Sequence, residues 1–137
     1  MTILPSGLPE QIADGEDLAR FLTSSGQFNA LMAKPSAFMP NPSDQATSVF
    51  RHGAKPVETL WQIGRDYAAG ERTLHGAAIF KAADVRTVQL AINASEPPPR
   101  HADITAWPSI ASDPGEEKAK RKEVAMLLAQ RAALLLR

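Results

Sequence analysis

Residues 46–80 read ATSVFRHGAKPVETLWQIGRDYAAGERTLHGAAIF, and this segment combines two hydrophobic spacings that belong to different secondary structures. Residues 46–51 are rich in β-branched and aromatic side chains and precede His52-Gly53, which predicts a strand. Between residues 56 and 70, a proline opens a segment whose apolar side chains recur three and four residues apart, and a glycine closes it. This spacing predicts a helix. Residues 74–80 predict a second strand.

The chain before this segment is interrupted by prolines and glycines. Residues 1–13 predict a flexible arm or a strap across the surface. Residues 14–22 predict a short helix, because acidic residues precede an apolar face that includes Leu18 and Leu22. Residues 27–44 are too apolar for a disordered linker and too rich in proline for a regular element. They predict an ordered loop packed by its own side chains.

The chain after this segment predicts two more strands and a long helix. Residues 81–84 predict a turn or a single helical turn, and residues 85–93 alternate apolar and polar side chains, as in a half-buried strand. The prolines of residues 96–100 force an extended path that leads into a short edge strand, residues 101–104. Residues 113–116, Asp-Pro-Gly-Glu, supply a cap and a first-turn proline for a helix that runs nearly to the C-terminus. Its predicted buried stripe comprises Val124, Leu127, Leu128, Leu134 and Leu135.

Together these elements predict an α+β fold with a single domain over residues 14–137. Consecutive strands favour a hairpin, and the long helix needs an apolar surface to cover. We therefore expect a small antiparallel or mixed sheet of about three or four strands, packed against helices that include the long C-terminal helix.

Composition narrows the class of protein. The chain has 137 residues, 15 basic and 15 acidic residues and no cysteine. A formal charge of zero offers no long-range attraction to nucleic acid, and Glu116, Glu117 and Glu123 are spaced to pair with the basic run 118–122 on the C-terminal helix. No disulfide framework is available, and no signal peptide or membrane span is evident. We expect a cytoplasmic protein that binds neither membranes nor nucleic acid.

Several blocks resemble a family of small uncharacterised bacterial proteins. The blocks occur in the same order over about two thirds of the chain, and Asp103 stands where the family pattern has asparagine. The resemblance implies membership of that family and no established activity. The blocks are KPSAFMP (34–40), TSVFR (47–51), WQIG (61–64), RTLHG (72–76) and PPRHADI (98–104) with Trp107-Pro108.

The chain contains none of the common catalytic motifs, such as a phosphate-binding loop, a GxSxG elbow or an HExxH helix. We therefore expect first a non-enzymatic interaction or accessory protein without a cofactor. In that hypothesis the apolar loop 28–39 and the segment 97–107 bind another protein or a second copy of the chain. The alternative hypothesis is a small enzyme or ligand-binding domain for a phosphate- or carboxylate-bearing molecule.

The first candidate site is the sequence Arg100-His101-Ala102-Asp103 with Trp107. Strand geometry places His101 and Asp103 on one face, as a general base with its orienting carboxylate. A weaker version adds His75 to these two side chains as ligands of a metal ion. The structural alternative is that His101 bonds a loop carbonyl, Asp103 caps a turn and Trp107 closes the edge of the core.

The second candidate site gathers cations for an anionic substrate. Arg51 is the predicted anion binder and takes part in catalysis, and Arg72, Arg100 and Lys34 add positive charge if they come close in space. Trp107 would line the same site. In the alternative interpretation Arg51 is a partly buried arginine that ties the loop 34–44 to the sheet through backbone carbonyls or an acidic neighbour.

Overall fold

The computed structural model describes residues 2–53 and 55–137, which form an α+β fold. Met1, in the predicted arm, and Ala54, between the predicted strand and helix, lie outside the described residues. The strands are β1 (Asp17–Leu22), β2 (Thr47–Arg51), β3 (Gly76–Lys81), β4 (Ala91–Ala94), β5 (His101–Thr105) and β6 (Ala133–Leu136). The helices are α1 (Val57–Ile63), α2 (Ala82–Thr87) and α3 (Pro114–Arg131). Helix α1 continues as a π-helical segment, Gly64–Ala69, and short 3-10 turns occupy Ser25–Gln27 and Pro35–Ala37.

The described strands form one six-stranded sheet in the order β4-β5-β2-β1-β3-β6. Every neighbouring pair is antiparallel. The α+β class, the antiparallel sheet and the long helix near the C-terminus are therefore confirmed, whereas the predicted number of strands was too small. Strand β5 also lies between β4 and β2 and is not an edge strand.

The predicted helix over residues 14–22 is wrong, because this segment forms the central strand β1. Leu18 and Leu22 pack into a core with α2 and α3 on one face of the sheet. Ala19 and Phe21 pack into a second core with α1 on the other face. A strand buried on both faces loses the alternation of apolar and polar side chains, so its apolar positions can match a helical spacing by chance.

The predicted strand over residues 85–93 is also largely wrong. Helix α2 extends to Thr87, and only Ala91–Ala94 is a strand. Asp84 caps this helix by accepting a hydrogen bond from the Lys81 N–H at 2.9 Å. Val85 is fully buried on α2, although in the predicted strand it would lie on the same face as the polar Thr87 and Gln89.

The long helix begins as predicted but ends earlier. Asp113 caps it by accepting a hydrogen bond from the Glu116 N–H at 3.0 Å, which confirms the predicted start. Ala132 turns extended, and the last apolar residues form β6 rather than a helical stripe. Gly76 permits this pairing, because a side-chain carbon there would lie 2.4 Å from the Leu135 carbonyl oxygen.

Candidate functional site

A cavity of about 330 Å³ opens where β1 and β2 diverge. These strands pair only at Leu18 with Arg51 and at Ala19 with Phe50. Beyond that point the gap is bordered by the π-helical segment and by the loop that precedes β5. The lining residues are Arg20, Phe21, Thr23, Asn41, Ser48, Phe50, Tyr67, Ala68, Arg72, Pro98 and His101. Two arginines and a histidine line the cavity, and none of the described carboxylates does.

Arg20 lies in the gap between the two strands. Its Nε donates to the Ala37 carbonyl at 2.7 Å, and its Nη1 donates to the Ser48 carbonyl at 3.0 Å. Backbone pairing of β1 with β2 ends at Ala19, and beyond that point the Arg20 guanidinium bonds the β2 backbone at Ser48. Burial lowers the pKa of Arg20 to about 10, and the positive charge of Arg72 acts in the same direction. Arg20 remains protonated at neutral pH, as a desolvated cation with a like charge nearby.

Arg72 supplies the second cation of the cavity. Its Nε donates to the Ala69 carbonyl at 3.2 Å and its Nη2 donates to the Ala68 carbonyl at 3.0 Å, so the end of the π-helical segment positions it. No carboxylate forms a salt bridge with Arg20 or Arg72 within the residues that the structure describes. Single turns of π-helix occur frequently at functional sites.

Aromatic rings form the apolar wall of the cavity. Phe50 lies at their centre, with ring centroids 5.7 Å from Phe21, 5.3 Å from His101 and 6.5 Å from Tyr67. Phe50 is almost fully buried, whereas Tyr67 is 45% exposed and forms the rim. An apolar wall lowers the local dielectric of the cavity, which strengthens the attraction between a cation and a bound anion.

His101 enters the cavity from the start of β5. Its Nδ1 lies 2.9 Å from the Ser95 carbonyl oxygen. Because a carbonyl oxygen only accepts, we assign the hydrogen to Nδ1, which leaves Nε2 as a proton acceptor in the neutral ring. Asp103 Oδ1 lies 3.8 Å from Nε2, which is beyond hydrogen-bond distance, and Asp103 does not line the cavity.

The turn before β5 is held by Glu96. Its carboxylate accepts hydrogen bonds from the Ser6 N–H at 3.1 Å and from the Arg100 N–H at 3.3 Å. These contacts tie the N-terminal arm to the turn that contains Pro98. The arm therefore holds in place the turn from which Pro98 lines the cavity.

Arg51, the predicted anion binder, lies elsewhere. It is fully buried, and its guanidinium contacts the Glu16 carboxylate through two nitrogens, of which Nη2 lies 3.0 Å from Oε2. Its Nη1 donates to the Pro9 carbonyl at 2.7 Å. Arg51 therefore joins the N-terminal arm to the sheet, so its partners are an acidic neighbour and the arm rather than the loop 34–44.

The other predicted site residues divide between the cavity and the rest of the surface. Arg72 and His101 share the cavity, whereas Arg100 donates to the Arg51 carbonyl at 2.7 Å and Lys34 is exposed outside the cavity. Trp107 is buried in the core, and its Nε1 has no hydrogen-bond partner among the described residues.

The metal hypothesis and the interaction hypothesis find less support in the geometry. Within residues 2–53 and 55–137, no group of three His, Asp or Glu side chains could hold a metal ion. His75 packs on Phe28, at 5.5 Å between ring centroids.

In the loop 28–39, Phe28, Met32 and Met39 pack against the core, and Leu31 is the large apolar side chain left exposed, at 88%.

Sequence reasoning missed Arg20, Phe50 and Tyr67 as site residues. The wrong helix over residues 14–22 concealed Arg20, although an arginine inside the apolar run Leu18–Leu22 was a signal that a charge would need a buried partner. Phe50 and Tyr67 belonged to the apolar patterns that predicted the strand and the helix, and they carried no further signal.

Comparison of the chain with protein-family models, with curated proteins and with solved structures finds no match. The resemblance to a bacterial family therefore stays a prediction. None of the helices in the described part of the chain is long and apolar enough to cross a membrane.

Proposed function

We propose that this protein binds a small anionic molecule, bearing a carboxylate or phosphate group, in the cavity between β1, β2 and the π-helical segment. The observation that carries the proposal is the pair of arginines, Arg20 and Arg72, which line one cavity without a carboxylate partner among the described residues. Burial and, to a smaller extent, the charge of Arg72 lower the pKa of Arg20, and a bound anion would offset the effect of that charge.

The binding chemistry follows from the way the two side chains are held. Each guanidinium already spends two nitrogens on backbone carbonyls, so its orientation is set before a ligand arrives. The remaining N–H groups would form charge-assisted hydrogen bonds, which are shorter and stronger than neutral ones. The volume of about 330 Å³ lies at the small end of the range for ligand sites and suits a molecule with one ring or a short chain.

A catalytic version of this function uses His101. The specific observation in its favour is the Nδ1 contact with Ser95, which leaves Nε2 as the proton acceptor of a side chain that lines the cavity. In this version His101 takes a proton from the bound ligand as a general base, while Arg20 and Arg72 hold the anionic group. Arg51 has no part in it, because its guanidinium is occupied by Glu16 and Pro9.

Calorimetric titration with inorganic phosphate and with small carboxylates tests the binding proposal. We expect saturable binding to the wild type and at least about a tenfold weaker affinity for Arg72→Gln, since one charge-assisted contact contributes about 1.5 kcal/mol or more. The matched control is Arg65→Gln, because Arg65 lies on the π-helical segment just before Arg72, is exposed and contacts Gln62 rather than the cavity.

The proposal fails if none of these anions binds the wild type, or if Arg72→Gln and Arg65→Gln bind equally well. Arg20→Lys provides a second variant that keeps the charge but loses the planar fork, and it should also weaken binding. His101→Gln should leave binding of phosphate within about twofold while removing turnover of any substrate found later.

A further inference from the structure

The outer edge of β6 exposes backbone groups that no described residue pairs with. Strand β6 is the last strand of the sheet and pairs on one side with β3. The Arg137 N–H donates to the His75 carbonyl at 2.9 Å, so residues 137, 135 and 133 direct their backbone groups toward β3. The alternation of an antiparallel ladder then directs the N–H and C=O groups of Leu134 and Leu136 outward.

Apart from its length of four residues, this edge lacks the features that usually prevent strands from pairing between molecules. Ala133–Leu136 contains no charge, no proline and no bulge, and Leu135 and Leu136 are 37% and 48% exposed. An apolar edge of this kind is a template for another strand. At the opposite edge, β4 carries the polar Asn93, whose side chain bonds Thr105 at 3.1 Å.

We infer that β6 pairs with β6 of a second copy of this chain, antiparallel about a two-fold axis at Leu135. In that register Leu134 of each copy faces Leu136 of the other, and the outward N–H and C=O groups of both residues are paired. The two sheets join into one continuous sheet. Leu135 of one copy meets Leu135 of the other, which covers an apolar side chain that is exposed in the single copy.

The charges at the ends of β6 are compatible with this pairing. The register places Arg137 of one copy opposite Ala133 of the other, near Arg131. Asp84 Oδ1 lies 3.4 Å from Arg131 Nη1, so this carboxylate offsets the charge of Arg131 at the end where the second copy brings its arginine. The contact is short, and we expect a weak, concentration-dependent dimer rather than an obligate one.

Sedimentation velocity over a wide range of protein concentration tests the inference, with two variants of one residue. Leu136→Pro removes an outward N–H and leaves the ladder to β3 intact, because proline is tolerated where its nitrogen faces away from the sheet. Leu136→Ala is the matched control, since it shortens the same side chain but keeps the N–H. We expect the dimer of Leu136→Pro to be at least about tenfold weaker than that of Leu136→Ala.

The inference is overturned if the wild type stays monomeric at every concentration, if the two variants dimerise equally, or if larger assemblies form in place of a dimer. Leu136→Lys replaces the proline variant if circular dichroism shows that Leu136→Pro does not fold. The lysine variant should be monomeric while retaining phosphate binding, because the anion cavity and the β6 edge share no residues.

Discussion

Arg51 and Arg20, on the neighbouring central strands β2 and β1, lie in opposite electrostatic surroundings. Arg51 has the Glu16 carboxylate and the Pro9 carbonyl as partners, so its positive charge is neutralised. Arg20 has two backbone carbonyls and faces the like charge of Arg72. Burial of an arginine therefore does not by itself indicate function. The feature that separates a structural cation from a candidate binding cation is the missing carboxylate.

Substitution of Arg51 should have the largest effect on stability. We expect Arg51→Ala to lower the free energy of unfolding by about 3 kcal/mol, because Glu16 loses the partner of a largely buried carboxylate and the N-terminal arm loses a contact. Urea denaturation measures the change. Lys81→Ala is the control, since Lys81 forms an exposed pair with Asp17 and should cost less than about 1 kcal/mol. Equal losses for the two variants would contradict the structural role of Arg51.

An anion should stabilise the Arg20 region and leave the Arg51 region unchanged. At a phosphate concentration about 100 times the dissociation constant, we expect the free energy of unfolding of the wild type to rise by about 2.7 kcal/mol. Arg72→Gln should gain much less at the same concentration. Amide hydrogen exchange that occurs by local opening, and not by global unfolding, should slow near Ser48 and Ala68 and stay unchanged near Glu16. Protection centred on Glu16 would show that the anion binds elsewhere.

His52 extends the comparison to a neutral group next to Arg51. It is buried, and neither ring nitrogen has a hydrogen-bond partner among the described residues. Burial lowers the pKa of His52, Asp17 opposes that shift, and Arg100 and Lys81 add to it. The unfolded chain therefore binds a proton more readily, so the stabilisation is present above the unfolded pKa of about 6.5 and is lost as pH falls through the lower folded pKa.

Urea denaturation between neutral and mildly acidic pH measures this loss. We expect His52→Leu to have a shallower decline of unfolding free energy with acid than the wild type. His75→Asn serves as the control for the general effect of removing a histidine. An unchanged decline in His52→Leu would show that other groups cause the acid sensitivity.

The smallest expected effect is that of Arg72→Gln on the protein without ligand. The variant loses contacts with two backbone carbonyls but also removes the like charge that acts on Arg20. These effects offset one another, and we expect the free energy of unfolding to stay within about 0.5 kcal/mol of the wild type. A loss as large as that of Arg51→Ala would erase the proposed distinction between the two arginines.

The candidate site was predictable only in part. Arg72 and His101 were proposed from the sequence and line the cavity, but Arg51 was proposed for the same role and lies outside it. The sequence alone cannot distinguish Arg51 from Arg20, because each stands beside an apolar residue in its own segment. Glu16, the partner of Arg51, and Arg72, the like charge near Arg20, are distant in the chain and are brought close by the pairing of β1 with β2 and β3.

Patterns in the sequence were enough to predict the α+β class, the strands β2, β3 and β5, and the start of α3. These features depend on short-range causes: β-branched residues in alternation, and a cap followed by a first-turn proline. Only the tertiary structure decided that residues 17–22 and 133–136 are strands, because apolar residues there are held extended by β3 on both of its sides. It also decided that Arg20 and Arg72 share a cavity, since strand pairing, and not local sequence, brings them together.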